Sequence, residues 1–496
     1  MRLSDLINAQ SAAPNTTPAA LVAGDPEIVG LTADSREVQP GYLFAALPGS
    51  RLDGRTYIAV AVAKGAAAVL TTPDVAECAV GLVRDADPRR RLARMAARFY
   101  SPQPETVVAV TGTNGKTSVA EFTRQIWNGA GYSAASIGTL GLTVDGETTG
   151  PSLTTPDPVR LHQVLHELAH VSVDHAALEA SSHGLDQARL DGVEIAAAAF
   201  TNLTRDHLDY HGDMDAYRTA KLGLFDRVMA PGGTAVLNMD SPEFDKFREA
   251  AERRRHRVMS YGMRPGAELR LVERRALPTG QALEIAVGGR SHLVELGLIG
   301  DFQAWNVLAA LGLTLGSGTP MELALEALPA LTGVRGRMER VAVLDNGAAV
   351  YVDFAHTSDA LETVLKAVRP HTNGELWCVF GCGGDRDPGK RPMMGAAVAK
   401  YADRPIVTDD NPRSENPALI RAATLAACRG GVEIGDRRTA IHETVARLGS
   451  GDVLVIAGKG HEQGQEIQGV KHPFDDATVA REAIAQISGA AGAGAA

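Results

Sequence analysis

A strand-like run passes straight into a glycine-rich loop at Thr106-Val107-Val108-Ala109-Val110-Thr111-Gly112-Thr113-Asn114-Gly115-Lys116-Thr117. The β-branched residues of the run favour a buried parallel strand. Glycines let backbone N–H groups close around phosphates, a lysine supplies positive charge, and a threonine hydroxyl can ligate Mg²⁺. Val110 stands where the usual phosphate-binding loop has its first glycine, so this loop is a variant. The segment predicts a nucleotide-binding loop between a strand and a helix, and a glycine-rich turn without a ligand is the alternative.

The chain on either side of this loop alternates between strand-like and helical runs. The strand-like runs are Tyr42–Leu47, Ala67–Thr72, Ala176–Ala180, Ile195–Thr201, Gly233–Asn238, Ala349–Asp353, Leu376–Phe380, Pro405–Thr408 and Val453–Ala457. Helical runs include Arg89–Tyr100 and Asn306–Leu315, whereas residues 255–300 suggest short strands and turns. Such alternation is typical of an α/β fold with mostly parallel sheets.

The length of the chain and a proline-containing linker segment predict three domains. At 496 residues the chain is too long for one core, and Ser101-Pro102-Gln103-Pro104 has the composition of a linker. We predict an N-terminal α/β substrate domain over residues 1–101 and a central P-loop, parallel-sheet, ATPase-like domain over 102–332. A C-terminal Rossmann-like domain is predicted over 333–488, followed by a disordered tail over 489–496 that contains only Gly and Ala.

Composition narrows the class of protein. Hydrophobic residues make up 45% and charged residues 22% of the chain, and the net charge is -10. This balance is typical of a soluble globular protein and argues against general binding to nucleic acid or membrane surfaces. The sequence has no signal-peptide pattern and no apolar run near the roughly 20 residues that cross a bilayer, so we expect a cytoplasmic protein. Reduced thiols are expected at the scattered cysteines Cys78, Cys378, Cys382 and Cys428.

Further motifs follow the glycine-rich loop along the chain. They are Glu179-Ala180-Ser181-Ser182-His183-Gly184-Leu185, Thr201-Asn202-Leu203-Thr204-Arg205-Asp206-His207-Leu208-Asp209-Tyr210-His211-Gly212 and Asp353-Phe354-Ala355-His356-Thr357-Ser358-Asp359-Ala360. Together with the loop they resemble the motifs of the Mur ligase family over almost the whole chain, with Phe354 where tyrosine is common. The resemblance implies an ATP-dependent ligase that activates a carboxylate as an acyl phosphate and then forms an amide bond.

The resemblance also implies which residues serve ATP and Mg²⁺. The implied catalytic residues are Lys116, Glu179, His207 and Lys221. The implied Mg²⁺ ligands are Thr117, Glu179, His207 and a carbamylated Lys221, in which carbamylation turns a cation into an anionic ligand. The implied ATP contacts are Gly112, Thr113, Asn114, Gly115, Lys116, Thr117, Ser118, Asn306, Arg337, Asp353 and His356. Taken alone, Glu179 would be read as a capping carboxylate, His207 as a loop histidine and Lys221 as a surface lysine.

Asp410-Asn411-Pro412-Arg413 indicates which amino acid is added. The stretch resembles the signature of the family members that add meso-diaminopimelate. That amino acid differs from lysine by a distal carboxylate, which a guanidinium can bind through two hydrogen bonds. Lysine would leave Arg413 unpaired, at a cost of about 2–5 kcal/mol. Arg386, Gly458 and Glu462 complete the implied amino-acid site, and a plain Asn-Pro turn is the alternative.

The implied acceptor is the UDP-linked muramoyl dipeptide UDP-N-acetylmuramoyl-L-alanyl-D-glutamate. Its implied contacts are Ser35, Thr154, Thr155, Ser181, Gln187 and Arg189. The D-glutamate γ-carboxylate would take the ATP γ-phosphoryl group and then react with the amine of diaminopimelate, a step of peptidoglycan synthesis that bears on cell shape, division and the cell cycle. The expected partners are these three small molecules, without nucleic acid or membrane insertion, and the expected state is a monomer.

Two other functions are compatible with parts of the sequence. A related ligase of the same architecture could add lysine or a dipeptide, or could lengthen folate with glutamate; Arg413 in its Asp-Asn-Pro-Arg context argues against these. A P-loop nucleotide-binding module without ligase activity would explain the loop but not the many candidate residues outside it. An amino-acid panel separates the first group, and amino-acid-independent ATP turnover would indicate the second.

Overall fold

The chain forms two compact units. The computed structural model describes residues 1–7, 20, 21, 24–49, 52–150, 153–277 and 280–493. The first unit comprises the described residues of Met1–Arg270, Ala286–Gly289 and Trp305–Ala327. The second comprises those of Leu271–Ile285, Arg290–Ala304 and Leu328–Ala496. Alternating helices and strands with largely parallel pairing confirm the predicted α/β class.

The first unit begins with a small sheet. Its strands are β1 (Ala20–Leu21), β2 (Gly30–Thr32), β3 (Tyr42–Ala45), β4 (Ala68–Thr71) and β5 (Gly81–Arg84), with helices α1 (Leu3–Ile7), α2 (Ile58–Ala63) and α3 (Pro88–Phe99). The strand order is β1-β5-β4-β3-β2, and only the β1–β5 pair is antiparallel. Asp87 starts α3 by accepting a hydrogen bond from the Arg90 amide, and Pro88 occupies the first turn, where its missing N–H costs nothing.

A sheet of eleven strands follows along the chain, and its residues 271–285 and 290–296 are counted with the second unit. Its strands are β6 (Thr106–Thr111), β7 (Ala134–Gly138), β8 (Gly141–Val144), β9 (Glu147–Thr149), β10 (His175–Glu179), β11 (Ala197–Phe200), β12 (Thr234–Asn238), β13 (Arg257–Gly262), β14 (Leu269–Leu277), β15 (Gly280–Val287) and β16 (Arg290–Leu296). The accompanying helices are α4 (Lys116–Gly129), α5 (Pro158–His170), α6 (Ser182–Asp186), α7 (Leu208–His211), α8 (Met214–Gly223), α9 (Phe244–Arg253), α10 (Asp301–Gly316) and α11 (Met321–Ala327). The order is β16-β15-β14-β13-β12-β11-β6-β10-β7-β8-β9.

Strand β6 lies between β10 and β11, and both pairings are parallel. Glu179 at the end of β10 pairs with Val110, and Phe200 at the end of β11 pairs with Thr111. The carboxyl ends of three strands therefore meet at one edge, and the glycine-rich loop leaves β6 there. A crevice outside the carboxyl ends of parallel strands is where such sheets bind ligands.

The second unit carries a six-stranded sheet and a separate hairpin. The sheet has β17 (Glu339–Val343), β18 (Ala349–Asp353), β19 (Leu376–Phe380), β20 (Arg404–Val407), β21 (Val432–Glu433) and β22 (Val453–Ala457), and the hairpin has β23 (Gly464–Ile467) and β24 (Val470–Pro473). The helices are α12 (Ser358–Val368), α13 (Lys390–Tyr401), α14 (Pro417–Leu425), α15 (Arg437–Val445) and α16 (Asp476–Ala493). The order is β17-β18-β22-β19-β20-β21, parallel except for β17–β18.

The last helix corrects one prediction. Residues 489–493, predicted as part of a disordered tail, continue α16 to Ala493. Alanine has the highest helix propensity of all residues, so an Ala-rich end can extend an existing helix although it contains glycines. The remaining predicted tail residues, 494–496, lie outside the described residues.

The cysteines are thiols without disulfide bonds. Cys378, Cys382 and Cys428 are buried in the second unit, and Cys78 is half-buried. Burial raises the pKa of Cys382 and Cys428 to about 11, so both are protonated, unreactive thiols at neutral pH. None of the helices described is both long and apolar enough to cross a membrane.

Candidate functional site

The glycine-rich loop needs glycine at two positions. Gly112 has φ 152° and Gly115 has φ 89°, both in the region that favours glycine. A Cβ atom at Gly112 would collide with the hydroxyl of Thr201, and one at Gly115 would lie 2.5 Å from Oδ1 of Asn306. Asn306, on α10, is buried directly against the loop. The structure thus brings this predicted ATP contact to the loop.

Residues just after β11 hold the loop in shape. The Thr201 hydroxyl donates to the Asn114 carbonyl at 2.6 Å, and Asn202 Oδ1 accepts from the Asn114 amide at 3.0 Å. Lys116 Nζ donates to the carbonyls of Gly112 and Thr113, each at 2.9 Å, so its ammonium lies on the loop. Thr201 and Asn202 were not among the predicted site residues, although they open the motif that contains His207.

Glu179 and Thr117 lie together at the carboxyl edge of the sheet. Glu179 is 3% exposed, and its Oε2 accepts from the Thr117 hydroxyl at 3.1 Å. Its Oε1 accepts from the Thr139 amide at 2.7 Å. A buried carboxylate beside a hydroxyl is the hard-oxygen donor set that Mg²⁺ prefers, so these two residues fit the implied metal. Within the described chain, however, no cluster of three or more His, Cys, Asp or Glu side chains is placed to hold a metal ion.

Lys221 is almost completely buried on α8, with 1% of its surface exposed. Its Nζ donates to the Gly112 carbonyl at 2.7 Å and lies 4.4 Å from the centre of the Tyr217 ring. Burial, reinforced by the positive charge of Lys116, lowers the pKa of Lys221 well below its usual value. The surface-lysine interpretation is therefore wrong. A π-helical turn, Leu224–Val228, follows α8 directly, and such turns occur often at functional sites.

His207 lies in a cluster of aromatic side chains. Its backbone has φ 53°, and its ring is 5.0 Å from that of His183 and 6.1 Å from that of Tyr217. Burial lowers the pKa of His207, and the charges of Lys116 and Lys221 add to that effect. A neutral imidazole is the form that binds metals. No hydrogen bond or ion pair joins His207 to Glu179 in the described part of the chain, so the implied metal ligands are not all in contact.

Five of the six predicted acceptor contacts form one hydrogen-bonded group. Thr155 Oγ1 lies 3.0 Å from Ser181 Oγ, and Arg189 donates to the Thr155 carbonyl at 2.7 Å and to Gln187 Oε1 at 2.8 Å. Thr154 is tied to Thr139, 3.0 Å between hydroxyls, and so to the Glu179 environment.

Ser35 stands apart from that group, in the loop after β2 of the small sheet. Its carbonyl accepts from Lys64 Nζ at 2.9 Å. In the described part of the chain, no hydrogen bond joins Ser35 to the acceptor group.

In the second unit, three predicted ATP contacts lie around the end of β18. Asp353 accepts from the amides of Met338 and Ala355 at 2.7 and 2.8 Å, and burial raises its pKa. The Arg337 guanidinium lies 4.5 Å from the centre of the Phe354 ring. The His356 ring is exposed, 4.6 Å from that of Phe354. Phe354 therefore packs against two of the predicted contacts.

The predicted amino-acid residues meet at the carboxyl ends of β20 and β22. Asn411 donates to Glu462 Oε2 at 2.9 Å, and Gly458, with φ 118°, allows the chain to pass close to Asp410 Oδ2. Lys459, fully buried, donates to Asn411 at 2.9 Å and to Glu462 at 3.2 Å, and it lies 3.6 Å from Asp410. Lys459 was missed by the sequence analysis. Its position between Gly458 and Gly460, beside the predicted Glu462, was the available signal.

The two carboxylates of this group differ in acidity. Burial raises the pKa of Asp410, although Lys459 and Arg437 oppose the effect. Burial by itself would raise the pKa of Glu462 too, but Lys459 and the hydrogen bond from Asn411 bring it below its usual value. A further positive charge placed between them would favour ionised Asp410.

Arg413 lies at the edge of this group, with its side chain 24% exposed. Its Nη1 donates to the Gly384 carbonyl at 2.7 Å, and its backbone has φ 51°. Pro412 is buried beside it and accepts a hydrogen bond from the Glu415 amide. Arg386 is exposed on the neighbouring loop, and the structure shows no hydrogen bond from its side chain within the described residues.

Left-handed backbone conformations are concentrated at or next to the predicted site residues of both units. Nine non-glycine residues of the described chain have positive φ, and five of them stand at or next to a predicted site residue. These five are Ala188, His207, Met338, Asp385 and Arg413. Such a conformation costs on the order of 1 kcal/mol for a residue with a Cβ, and it persists where surrounding contacts enforce it.

Comparisons with protein-family models, with related sequences and with solved structures all indicate the same protein family. The family described as "Mur ligase family, catalytic domain" matches residues 27–100, "Mur ligase middle domain" matches 110–314, and "Mur ligase, glutamate ligase domain" matches 336–460. The chain is 53% identical over 490 residues to the UDP-N-acetylmuramoyl-L-alanyl-D-glutamate--2,6-diaminopimelate ligase of Caulobacter vibrioides, covering 97% of this chain and 98% of that protein. The protein of the same name from Mesorhizobium japonicum is 51% identical over 464 residues, covering 93% and 96%. A solved structure of a ligase with that name has 36% identity and a TM-score of 0.71, covering 93% of this chain and 95% of the other.

Proposed function

The chain belongs to the Mur ligase family, and from that premise we propose that it joins meso-2,6-diaminopimelate to UDP-N-acetylmuramoyl-L-alanyl-D-glutamate. It is an ATP-dependent ligase that forms an amide bond. The observation that carries the choice of amino acid is Arg413, held in the Asp-Asn-Pro-Arg loop beside a group of ionised and amide side chains. The names of relatives at about half identity support the same substrate pair.

ATP binds at the glycine-rich loop. Gly112 and Gly115 let the loop pass close to Thr201 and Asn306, and Lys116 brings its ammonium to the same loop. A glycine-rich loop before a helix can bind phosphates through its backbone N–H groups. Thr113, Asn114, Thr117 and Ser118 belong to the same contact set. Asn306 faces the loop from α10 in the first unit, and Arg337, Asp353 and His356 are proposed as ATP contacts in the second.

Thr117, Glu179, His207 and Lys221 are proposed to hold Mg²⁺. When bound there, Mg²⁺ would neutralise charge between the phosphates and the acceptor carboxylate. Lys221 contributes as a carbamate: its buried amine, in the unprotonated form, adds CO2, an N–C bond forms and a proton leaves. The low pKa of the amine supports this step because only the unprotonated form reacts.

The acceptor carboxylate is activated first. The D-glutamate γ-carboxylate oxygen attacks the γ-phosphorus of ATP, ADP leaves, and Lys116 stabilises the charge on the transferred group. Ser35, Thr154, Thr155, Ser181, Gln187 and Arg189 are proposed to bind the UDP-muramoyl dipeptide. The guanidinium of Arg189, fixed by Thr155 and Gln187, suits an acidic group of that substrate.

Amide formation follows. The free amine of diaminopimelate attacks the acyl carbon, inorganic phosphate leaves, and the nitrogen loses a proton. Arg413 binds the distal carboxylate, while Asp410, Asn411 and Glu462 receive the ammonium end. Gly458 lets the chain pass close to Asp410, Pro412 shapes the loop, and Arg386 is proposed to pair with a carboxylate.

We further propose the setting in which this activity operates. The enzyme acts in the cytoplasm as a monomer, in three domains over residues 1–101, 102–332 and 333–488. Its product serves peptidoglycan synthesis, and through the cell wall it contributes to cell shape and division. The proposed partners are ATP, the UDP-muramoyl dipeptide and meso-diaminopimelate.

The decisive experiment measures phosphate release with ATP, Mg²⁺ and the UDP-muramoyl dipeptide, comparing meso-diaminopimelate with L-lysine. Turnover only with diaminopimelate is expected. A preference for L-lysine would agree with a Mur ligase but contradict the proposed specificity for diaminopimelate. ATP turnover that depends on neither amino acid would indicate a nucleotide-binding module.

A variant sharpens the same experiment. Arg413→Lys, which loses bidentate binding, should raise the KM for diaminopimelate about 10-fold or more, in line with the roughly 2 kcal/mol of a charged hydrogen-bonded pair. Arg438→Lys, at an exposed position of the same unit, is the matched control and should leave the KM as in wild type. An unchanged KM in Arg413→Lys would remove Arg413 from the substrate site.

A further inference from the structure

The hairpin β23–β24 is joined to the Asp-Asn-Pro-Arg loop through backbone and amide groups. The Arg413 amide donates to the Glu466 carbonyl at 3.0 Å, and the Gln468 amide donates to the Arg413 carbonyl at 2.6 Å. The Glu466 amide donates to Asn411 Oδ1 at 3.0 Å, and Gln465 Nε2 donates to the Asp410 carbonyl at 2.8 Å. The loop and the first strand of the hairpin are therefore fixed together without using the side chain of Glu466.

That side chain has a different neighbour. Oε2 of Glu466 lies 3.4 Å from Nε of Arg413, with the Glu466 side chain 44% exposed. The other end of the guanidinium is held by the Gly384 carbonyl through Nη1. Arg413 thus has a carboxylate from its own chain on the Nε side. A carboxylate that forms two hydrogen bonds with a guanidinium contacts one edge of the guanidinium. At the Nε edge of Arg413, that place is already taken by the carboxylate of Glu466.

We propose that Glu466 is a specificity-determining residue: its carboxylate competes with the distal carboxylate of diaminopimelate for Arg413. The inference rests on the proposed function. It has two consequences. Binding of diaminopimelate must displace or repel an existing negative charge, so affinity is lower than Arg413 alone would give. With lysine bound, Arg413 keeps a partner, so the penalty for the missing carboxylate is smaller than for an unpaired guanidinium.

The sign of this effect separates it from a structural role. If Glu466 merely oriented Arg413 for the substrate, removing its charge would weaken diaminopimelate binding. If it competes, removing its charge strengthens binding. Because the pair is half-exposed, its strength is that of a surface ion pair, and the expected change is about 2- to 5-fold.

The test compares Glu466→Gln with wild type in phosphate release, with ATP and the UDP-muramoyl dipeptide saturating. The KM for meso-diaminopimelate should fall about 2- to 5-fold with kcat unchanged, and L-lysine should still give no phosphate release. The gain should shrink at high salt, which screens the half-exposed charge. Glu482→Gln is the matched control, because Glu482 is a carboxylate of similar exposure, 45%, that pairs with Arg438 in the same unit; its KM should equal that of wild type.

A second variant keeps the proposal testable if Glu466→Gln folds poorly. Glu466→Asp retains the charge but withdraws it by one methylene, and its KM should lie between those of wild type and Glu466→Gln. An unchanged or higher KM for diaminopimelate in a folded Glu466→Gln protein would overturn the inference. Wild-type protein that releases no phosphate with diaminopimelate would instead overturn the proposed function, so the two failures are distinguishable.

Discussion

Lys221 carries the amine of its side chain into the interior of the first unit, beside the glycine-rich loop. It is a lysine on a helix, surrounded in sequence by residues that suit a solvated face, yet it is 1% exposed and bonded to the Gly112 carbonyl. Its partner lies 109 positions away in the chain. Nothing local predicts such a contact, and only the family resemblance singled out this lysine.

The first prediction concerns this lysine. Lys221→Met removes both the amine and the proposed carbamate, and the rate of ligation should fall on the order of 100-fold, as when one charge-stabilising group is removed from an active site. A ¹³C NMR signal of a carbamate, obtained with labelled bicarbonate in wild type, should be absent from the variant. It should also fade as pH drops through the lowered pKa of Lys221, because the protonated amine cannot hold CO2.

Lys246→Met provides the comparison for that experiment. Lys246 is an exposed lysine on α9 of the same unit, 54% exposed and paired with Glu243. Its replacement should alter neither the rate nor the spectrum. A carbamate signal that survives in Lys221→Met would assign the modification to another lysine.

The glycine-rich loop could be predicted from the sequence, whereas two residues that hold other site residues could not. The loop from Gly112 to Thr117 was predicted from composition and spacing, because strand, glycines, lysine and threonine are consecutive. Thr139, which holds Glu179 from 40 positions away, and Lys459, which holds Asn411 from 48 positions away, were missed. A contact between residues so distant in sequence leaves no periodic signal in either segment.

At the scale of elements, the hairpin β23–β24 is one of the parts of the fold that were not predicted from the sequence. Ile467 pairs with Val470 across a two-residue turn, Gln468-Gly469, with φ 49° and 77°. Positive φ at both central residues is the pattern of a type I′ turn, whose preferred sequence is Asn-Gly. Gln468 lacks the short side chain that tolerates this backbone, so the usual hairpin signal is weakened. The parallel strand β6, by contrast, was recognisable because its β-branched run is buried on both faces.

The second prediction follows from that turn. Gln468→Asn should stabilise the hairpin by about 0.5–1 kcal/mol, the usual gain from optimising a local structure at the surface. Amide hydrogen exchange of β23 and β24 should slow accordingly. Gln468→Val should accelerate it, because a β-branched residue is strained at positive φ. Equal exchange in all three proteins would mean that the turn does not limit hairpin opening.

At the scale of the whole molecule, stability should depend on buried histidines in both units. Burial lowers the pKa of His162 in the first unit and of His461 in the second to about 4. Between pH 6.5 and 4 these groups take up protons in the unfolded chain but stay neutral in the folded one. The two neutral histidines therefore contribute to the free energy of unfolding above pH 6.5, and this contribution is lost as the pH falls from 6.5 to 4.

The third prediction isolates one of these groups. His162 is 2% exposed on α5, and its lowered pKa corresponds to a loss on the order of 3 kcal/mol between pH 6.5 and 4. In His162→Leu, the protection of the α5 amides, corrected for the intrinsic pH dependence of exchange, should fall much less on acidification than in wild type. His472→Leu, at an exposed position on β24, is the control and should keep the wild-type pH dependence. If His162→Leu loses as much protection on acidification as wild type does, a group other than His162 determines the acid sensitivity of α5.

The left-handed residues at or next to predicted site residues in each unit bear on how such an enzyme can be improved. Ala188, His207, Met338, Asp385 and Arg413 hold a backbone that glycine would adopt more easily. A laboratory selection that rewards heat resistance alone would find gains at these positions, and two of them are proposed to touch a ligand or metal. Engineering for durability would then drift toward the loops that perform the chemistry, so any such campaign should screen for turnover at every round.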